Sequence, residues 1–167
     1  MTQKPKKQKK NSNTNSIIQL VEKRVRKDIR IHKKIGKEKT ILLYNNNSKE
    51  YRTAKEILKS IFGNIKQIKS VKEKKGALIP TNLDREINNY LNAYFKFKTL
   101  EKKKHMILDN VLEQEIIDYC KAKNILGGKR KDYNEFIEEV EKATPQKKFA
   151  IKSSFEKIFL KLKTDKI

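Results

Sequence analysis

Tryptophan is absent from this 167-residue chain, cysteine occurs once, proline three times and glycine five times. A single cysteine excludes a disulfide framework and matches the usage of a reducing, cytoplasmic compartment. Cys120, His32 and His105 are far apart in sequence and too few to supply the three or four ligands of a zinc or iron–sulfur site, so no metal cofactor is expected. Cys120 falls in the apolar register of Ile116 and Ile117, which marks a small core residue rather than a nucleophile. No apolar run approaches the roughly 20 residues that span a bilayer. The basic stretch 4–10 is not followed by the apolar segment of a secretory signal. A cytoplasmic location and no membrane partner are therefore expected.

Acidic residues are also in short supply. Lys and Arg number 42 against 20 Asp and Glu, a formal charge of +22. Such a balance selects a polyanion as partner, tRNA or rRNA ahead of DNA or an anionic membrane. Residues 1–39 carry 14 of these cations against 3 acids, about half the excess in less than a quarter of the chain. The first 15 residues hold lysines and then alternating Asn, Ser and Thr, with nothing to pack, and read as a disordered basic tail. Ser16 is a candidate cap for a helix to about residue 34, with Ile17, Val21, Val25 and Ile29 recurring every four residues as its apolar stripe. Lys23, Arg24, Arg26, Lys27 and Arg30 fill its other faces and are the candidate RNA-binding residues.

Residues 40–45 read as a short buried strand. A polar turn and a helix capped by Ser48 follow, with Ala54, Ile57, Leu58 and Ile61 inward and Gly63-Asn64 as its stop. A strand–turn–helix junction is where α/β domains cradle phosphate, and the cradle needs glycine so that backbone N–H groups can close on the anion. Here the turn is Asn45-Asn46-Asn47-Ser48, with no glycine. Lys49 is left as a candidate phosphate contact, and Glu50 with Asp84 as candidate carboxylates. Asp84 follows a strand at 77–80; beside Asn82 it is equally suited to opening a helix.

Residues 65–71 suggest a short edge strand. Residues 83–100 suggest a helix with Leu83, Ile87, Leu91, Tyr94 and Phe95 inward. Lys96, Lys98 and Lys102–Lys104 make a second basic cluster, and the aromatics among them at helical spacing read as core rather than as a base-stacking platform. His105 and Met106 fall in a linker. Helices are expected at 112–123, 133–143 and 147–163. The expected order is α-β-α-(β)-β-α-α-α-α, with a small parallel sheet of about three strands and helices in excess.

Four stretches resemble one family. They are Val21–Arg30, the strand and turn ending in Asn46-Asn47-Ser48-Lys49-Glu50-Tyr51, Ala77-Leu78-Ile79-Pro80-Thr81-Asn82-Leu83-Asp84-Arg85-Glu86, and the C-terminal run from Glu113-Gln114-Glu115-Ile116-Ile117-Asp118-Tyr119 to Phe136–Ile158. In that order they are similar to the archaeal and eukaryotic tRNA 2-thiouridine synthetases, which are PP-loop ATP pyrophosphatases. The resemblance implies a reduced Rossmann-like domain of the adenine nucleotide alpha hydrolase type at 16–126, with a C-terminal helical extension at 127–167. The family's loop Ser-Gly-Gly-x-Asp-Ser and its cysteines are missing. A degenerate member is therefore implied, with no catalytic residues and no ATP, zinc or iron–sulfur cofactor. Its expected role is a tRNA-binding subunit in uridine 2-thiolation, paired with itself or with an intact thiolase paralogue. A minimal ATP-dependent tRNA-modifying enzyme and a generic basic RNA- or ribosome-binding protein stay open as alternatives.

Overall fold

Val21, Val25 and Ile29 are almost completely buried, and that stripe anchors the first and longest helix to the rest of the chain. The computed structural model describes residues 8–35, 40–70, 76–96, 105–126 and 136–164. In chain order the elements are helix α1 (Gln8–His32), strand β1 (Ile41–Tyr44), α2 (Lys49–Phe62), β2 (Ile65–Ile68), β3 (Ile79–Pro80), α3 (Leu83–Phe95), β4 (Met106–Ile107), α4 (Glu113–Ala122), α5 (Ile137–Lys142) and α6 (Pro145–Thr164). The fold is mixed α/β and mostly helical, with short parallel strands.

β1 pairs with β2 in parallel from Ile41↔Ile65 to Tyr44↔Ile68, and β3 pairs with β4 through Ile79↔Met106 and Pro80↔Ile107. One parallel bridge, Leu43↔Leu78, joins the two ladders, with Leu78 N–H donating to Leu42 O at 2.8 Å and Tyr44 N–H to Leu78 O at 3.0 Å. The lateral order is thus β2-β1-β3-β4, and β2 lies at an edge as its alternating pattern suggests.

Two apolar clusters divide the helices. The larger gathers the α1 stripe, Ile41 and Leu43 of β1, Ala54, Ile57 and Leu58 of α2, and Ile116, Tyr119 and Cys120 of α4. The smaller joins Leu83 and Ile87 of α3 to Val140 of α5, with Leu91 and Ile151 against them. Cys120 takes the core place its register suggests, its Sγ 3.3 Å from Thr53 Oγ1.

Three expectations need correction. α1 begins at Gln8, so Ser16 lies within the helix and does not cap it; once the stripe has nucleated the helix, each added turn costs little. The stretch at His105-Met106 is not a plain linker, because Met106–Ile107 forms β4 beside β3. A two-residue strand leaves no period to read in a sequence. Tyr94 and Phe95 are exposed, not inward. Tyr94 meets Phe155 edge-on at 5.8 Å and Phe95 stacks on Phe136 at 5.1 Å, so the α5–α6 pair rather than the core takes up their inner sides. Residues 1–7, Phe97, Lys98, Lys102–Lys104, Gly127-Gly128 and Tyr133 lie outside the described residues.

Gly63 ends α2 at φ 75° and ψ −61°, donating its N–H to Lys59 O at 3.1 Å. That backbone conformation strains any residue with a Cβ, although no atom lies within 4 Å of where the Cβ would stand. Gly63→Ala should therefore destabilise by about 1–3 kcal/mol through backbone strain alone. Urea denaturation measures it; an unchanged midpoint would contradict the strain.

Candidate functional site

The turn after β1 is closed by its own side chains. Asn45 N–H donates to Ile68 O at 2.9 Å, which fixes the start of the turn to β2. Asn45 Oδ1 accepts the Asn47 N–H at 2.9 Å. Asn46 Oδ1 accepts both the Ser48 N–H at 3.2 Å and the Ser48 hydroxyl at 2.7 Å. Ser48 Oγ in turn accepts the Tyr51 N–H at 3.1 Å, the expected cap of α2. These amides would face a phosphate in a glycine loop. Here asparagine carboxamides occupy those of Asn47 and Ser48, an Asx arrangement that mimics a backbone turn.

The turn does reach the left-handed region without glycine, at Asn47 with φ 56°. Asparagine tolerates that conformation better than other residues with a Cβ. Arg52 holds it by donating to Asn47 Oδ1 at 3.3 Å and to Leu126 O. Lys49 opens α2 partly buried, with no hydrogen bond or ion pair among the described residues.

Glu50 and Asp84 come to the same end of the strands, as their sequence positions suggest, and each is paired within the chain. Glu50 accepts from Asn82 Nδ2 at 2.8 Å and pairs with Arg85 at 3.2 Å. Asn82 caps α3 by accepting the Arg85 N–H at 2.8 Å. Asp84, 2% exposed, accepts the Glu113 N–H at 2.8 Å and binds the Lys148 ammonium of α6. Its carboxylate thus joins α3, α4 and α6. Among the described residues no group of three or more His, Cys, Asp or Glu could hold a metal ion.

α1 presents the basic residues. Lys23, Arg26, Lys27 and Arg30 stand at i, i+3, i+4 and i+7, exposed opposite the buried stripe, and line a shallow groove with Gln19 and Glu22. Arg26 pairs with Glu22 at 3.3 Å in the open, a contact that water largely screens. Arg24 is placed differently. Its guanidinium pairs with Glu115 at 2.5 Å, donates to Asn110 O at 3.2 Å and lies 5.6 Å over the Phe149 ring. It fastens α1 to α4 and α6 and leaves the outward face to the other four.

A polar network that the sequence did not disclose lies where α1 ends. Asp28 sits in the buried stripe and pairs with Lys34 at 2.5 Å; Lys34 also pairs with Asp109 at 2.6 Å. Lys152 of α6 donates to Asp109 O at 2.9 Å, Asp109 Oδ2 at 3.2 Å and Asn110 Oδ1 at 2.7 Å. Asn110 Nδ2 closes the ring on Asp28 Oδ1 at 2.6 Å. Burial opposes the charge of Asp109, but Lys152 and Lys34 outweigh it and hold its carboxyl below the usual range. Burial likewise opposes the charge of Lys34, and Asp109 and Asp28 reverse that, raising its pKa. Behind this ring, burial pushes the Glu86 carboxyl upward. The only trace in sequence is Asp28 next to Ile29 in an apolar register, a pattern that also fits a helix end.

Compared with known proteins, the chain matches no family model and no curated sequence. Among the described residues no helix is long and apolar enough to cross a membrane.

Because Asp84 and Lys148 are both buried, removing one partner strands the other. Asp84→Asn should cost about 3–5 kcal/mol in chemical denaturation. The double variant Asp84→Asn with Lys148→Met should recover a substantial part of that loss. Equal stabilities of the single and double variants would contradict the pairing.

Proposed function

We propose that the protein is a non-catalytic RNA-binding protein that holds a phosphate backbone against the outward face of α1. The observation that carries this reading is the row Lys23, Arg26, Lys27 and Arg30 on a helix whose opposite stripe is fixed in the core. Cations on a pre-formed helix meet phosphates without the ordering cost that a flexible tail bears. The surrounding charge of +22 adds a long-range field that draws polyanions in. Nothing in the row reads base edges, so the recognition is of backbone and shape.

The resemblance to the tRNA 2-thiouridine synthetases favours tRNA as the RNA and a supporting subunit in uridine 2-thiolation as the setting, beside an intact thiolase. A reduced Rossmann-like ancestry accords with the all-parallel strand order β2-β1-β3-β4 and with a turn at the carboxyl end of β1. The occupied amides of that turn and the paired state of Glu50 and Asp84 speak against retained nucleotide chemistry. A phosphate arriving there would have to displace the hydrogen bonds of Asn45, Asn46 and Ser48.

Mg-ATP should consequently bind no tighter than the millimolar range; a micromolar isotherm by calorimetry would restore the enzyme reading. tRNA affinity should fall with salt at a slope of about −3 to −4 in log–log form if the four cations each meet one phosphate. Reversing the charge of Lys27 and Arg30 should reduce that slope by about two. Arg24→Ala should instead lower stability and leave the slope almost unchanged. A salt-independent affinity would refute the α1 reading. Equal binding of tRNA and heparin would remove the support for thiolation and leave a generic polyanion binder.

A further inference from the structure

The basic row of α1 runs toward a cleft. Lys33 follows Arg30 by three residues, just beyond the helix end, in a left-handed turn with φ 46°. There α1, the turn after β4 and α6 enclose about 640 Å³. That is within the usual size of small-molecule sites, roughly 300–1,000 Å³. None of the residues of the glycine-free turn, nor Glu50, Asn82 or Asp84, lines it.

Most of its lining falls into two groups, with His32, paired to Asp28 at 3.5 Å, at the rim of α1. Lys34, Asp109, Asn110 and Lys152 are bound to one another and form a fixed wall. Lys33, Ser153 and Glu156 line the same space and have no hydrogen bond or ion pair among the described residues. His105, also in the lining, has a buried Nδ1 without a hydrogen-bond partner. Phe149 adds an aromatic ring, steadied by the Arg24 guanidinium. A site that offers one unpaired cation, one ring, one hydroxyl and one unpaired carboxylate matches a nucleotide better than a simple anion. Glu156 would repel a bare phosphate, yet a carboxylate accepts from an exocyclic amino group of a base.

We propose that this cleft is a subsite for one unpaired nucleotide with an amino-bearing base, Lys33 meeting its phosphate, Phe149 stacking on the base and Glu156 accepting from the amino group. The inference rests on the reading of α1 as the phosphate-tracking face, which leads an RNA strand to Lys33. The same chemistry could come from a free nucleotide or from an unpaired residue of a bound RNA.

The test uses the full chain and three RNAs: a blunt hairpin, the same hairpin with a short adenosine extension, and the same with a uridine extension. AMP alone is titrated in parallel. The adenosine extension should raise affinity about fivefold or more over the blunt hairpin, the worth of one stacked base. It should also exceed the uridine extension, and Glu156→Gln should bring the ratio of adenosine to uridine affinity close to one. Glu156 has no hydrogen bond or ion pair to lose among the described residues, so this variant should fold; Ser153→Val is a second probe of the unengaged side of the cleft and should lower the adenosine gain. A gain with RNA that AMP does not reproduce identifies an RNA-borne nucleotide. AMP binding weakened by Glu156→Gln, with no gain from either extension, identifies a free one. Equal affinity for all three hairpins with no AMP binding overturns the proposal, as does an adenosine preference that Glu156→Gln leaves intact. If the blunt hairpin itself binds without salt dependence, the α1 reading fails, and the AMP titration then decides the cleft by itself.

Discussion

Two lysines of α6 are taken out of water onto acceptors at the carboxyl end of the strands, and the placing of the C-terminal helices depends on them. Lys148 binds Asp84 at the start of α3, and Lys152 binds Asp109 and Asn110 in the turn after β4. In a chain of net charge +22, a helix that brings further cations is repelled by the rest of the molecule unless each buried charge meets a fixed acid. The few acids available are used for that purpose. Asp28 and Asp84 are buried, Asp109 is half-buried, and all three are paired with lysine. The apolar contribution of α6 to the smaller cluster, Ile151 against Leu83 and Ile87, is modest, so orientation comes from the ion pairs and area from the core.

The same use of acids extends along the strand ends. At the carboxyl edge of the parallel strands Asp84 pairs with Lys148 and Glu50 with Arg85. In the asparagine turn after β1, side chains accept the Asn47 and Ser48 N–H groups. Lys23, Arg26, Lys27 and Arg30 lie on the side of α1 away from the core.

Periodicity made much of this legible. The α1 stripe, the Ser48 cap, the Gly63 stop, the parallel strands at 41–44 and 79–80 and the core place of Cys120 all follow from spacing and from residue chemistry within one element. Four of the five basic residues singled out on α1 face outward for the same reason. What escaped has a common cause. β4 is two residues long and has no period. Tyr94 and Phe95 carry a core pattern, but the residues that meet them, Phe155 and Phe136, come from distant helices and cover only one side. Arg24 is indistinguishable in sequence from Arg26; only the position of Glu115, 91 residues on, separates an interior clamp from a surface cation.

By itself, then, the sequence determined most of the elements, the excess of positive charge and the absence of a glycine cradle, because helical and strand periods and the demand for a residue without Cβ are local properties. Which charges would be neutralised was decided only by the tertiary structure. Ion pairing between Asp28 and Lys34, Asp84 and Lys148, and Asp109 and Lys152 depends on helices meeting across the molecule, and a carboxylate in sequence carries no mark of the cation it will face.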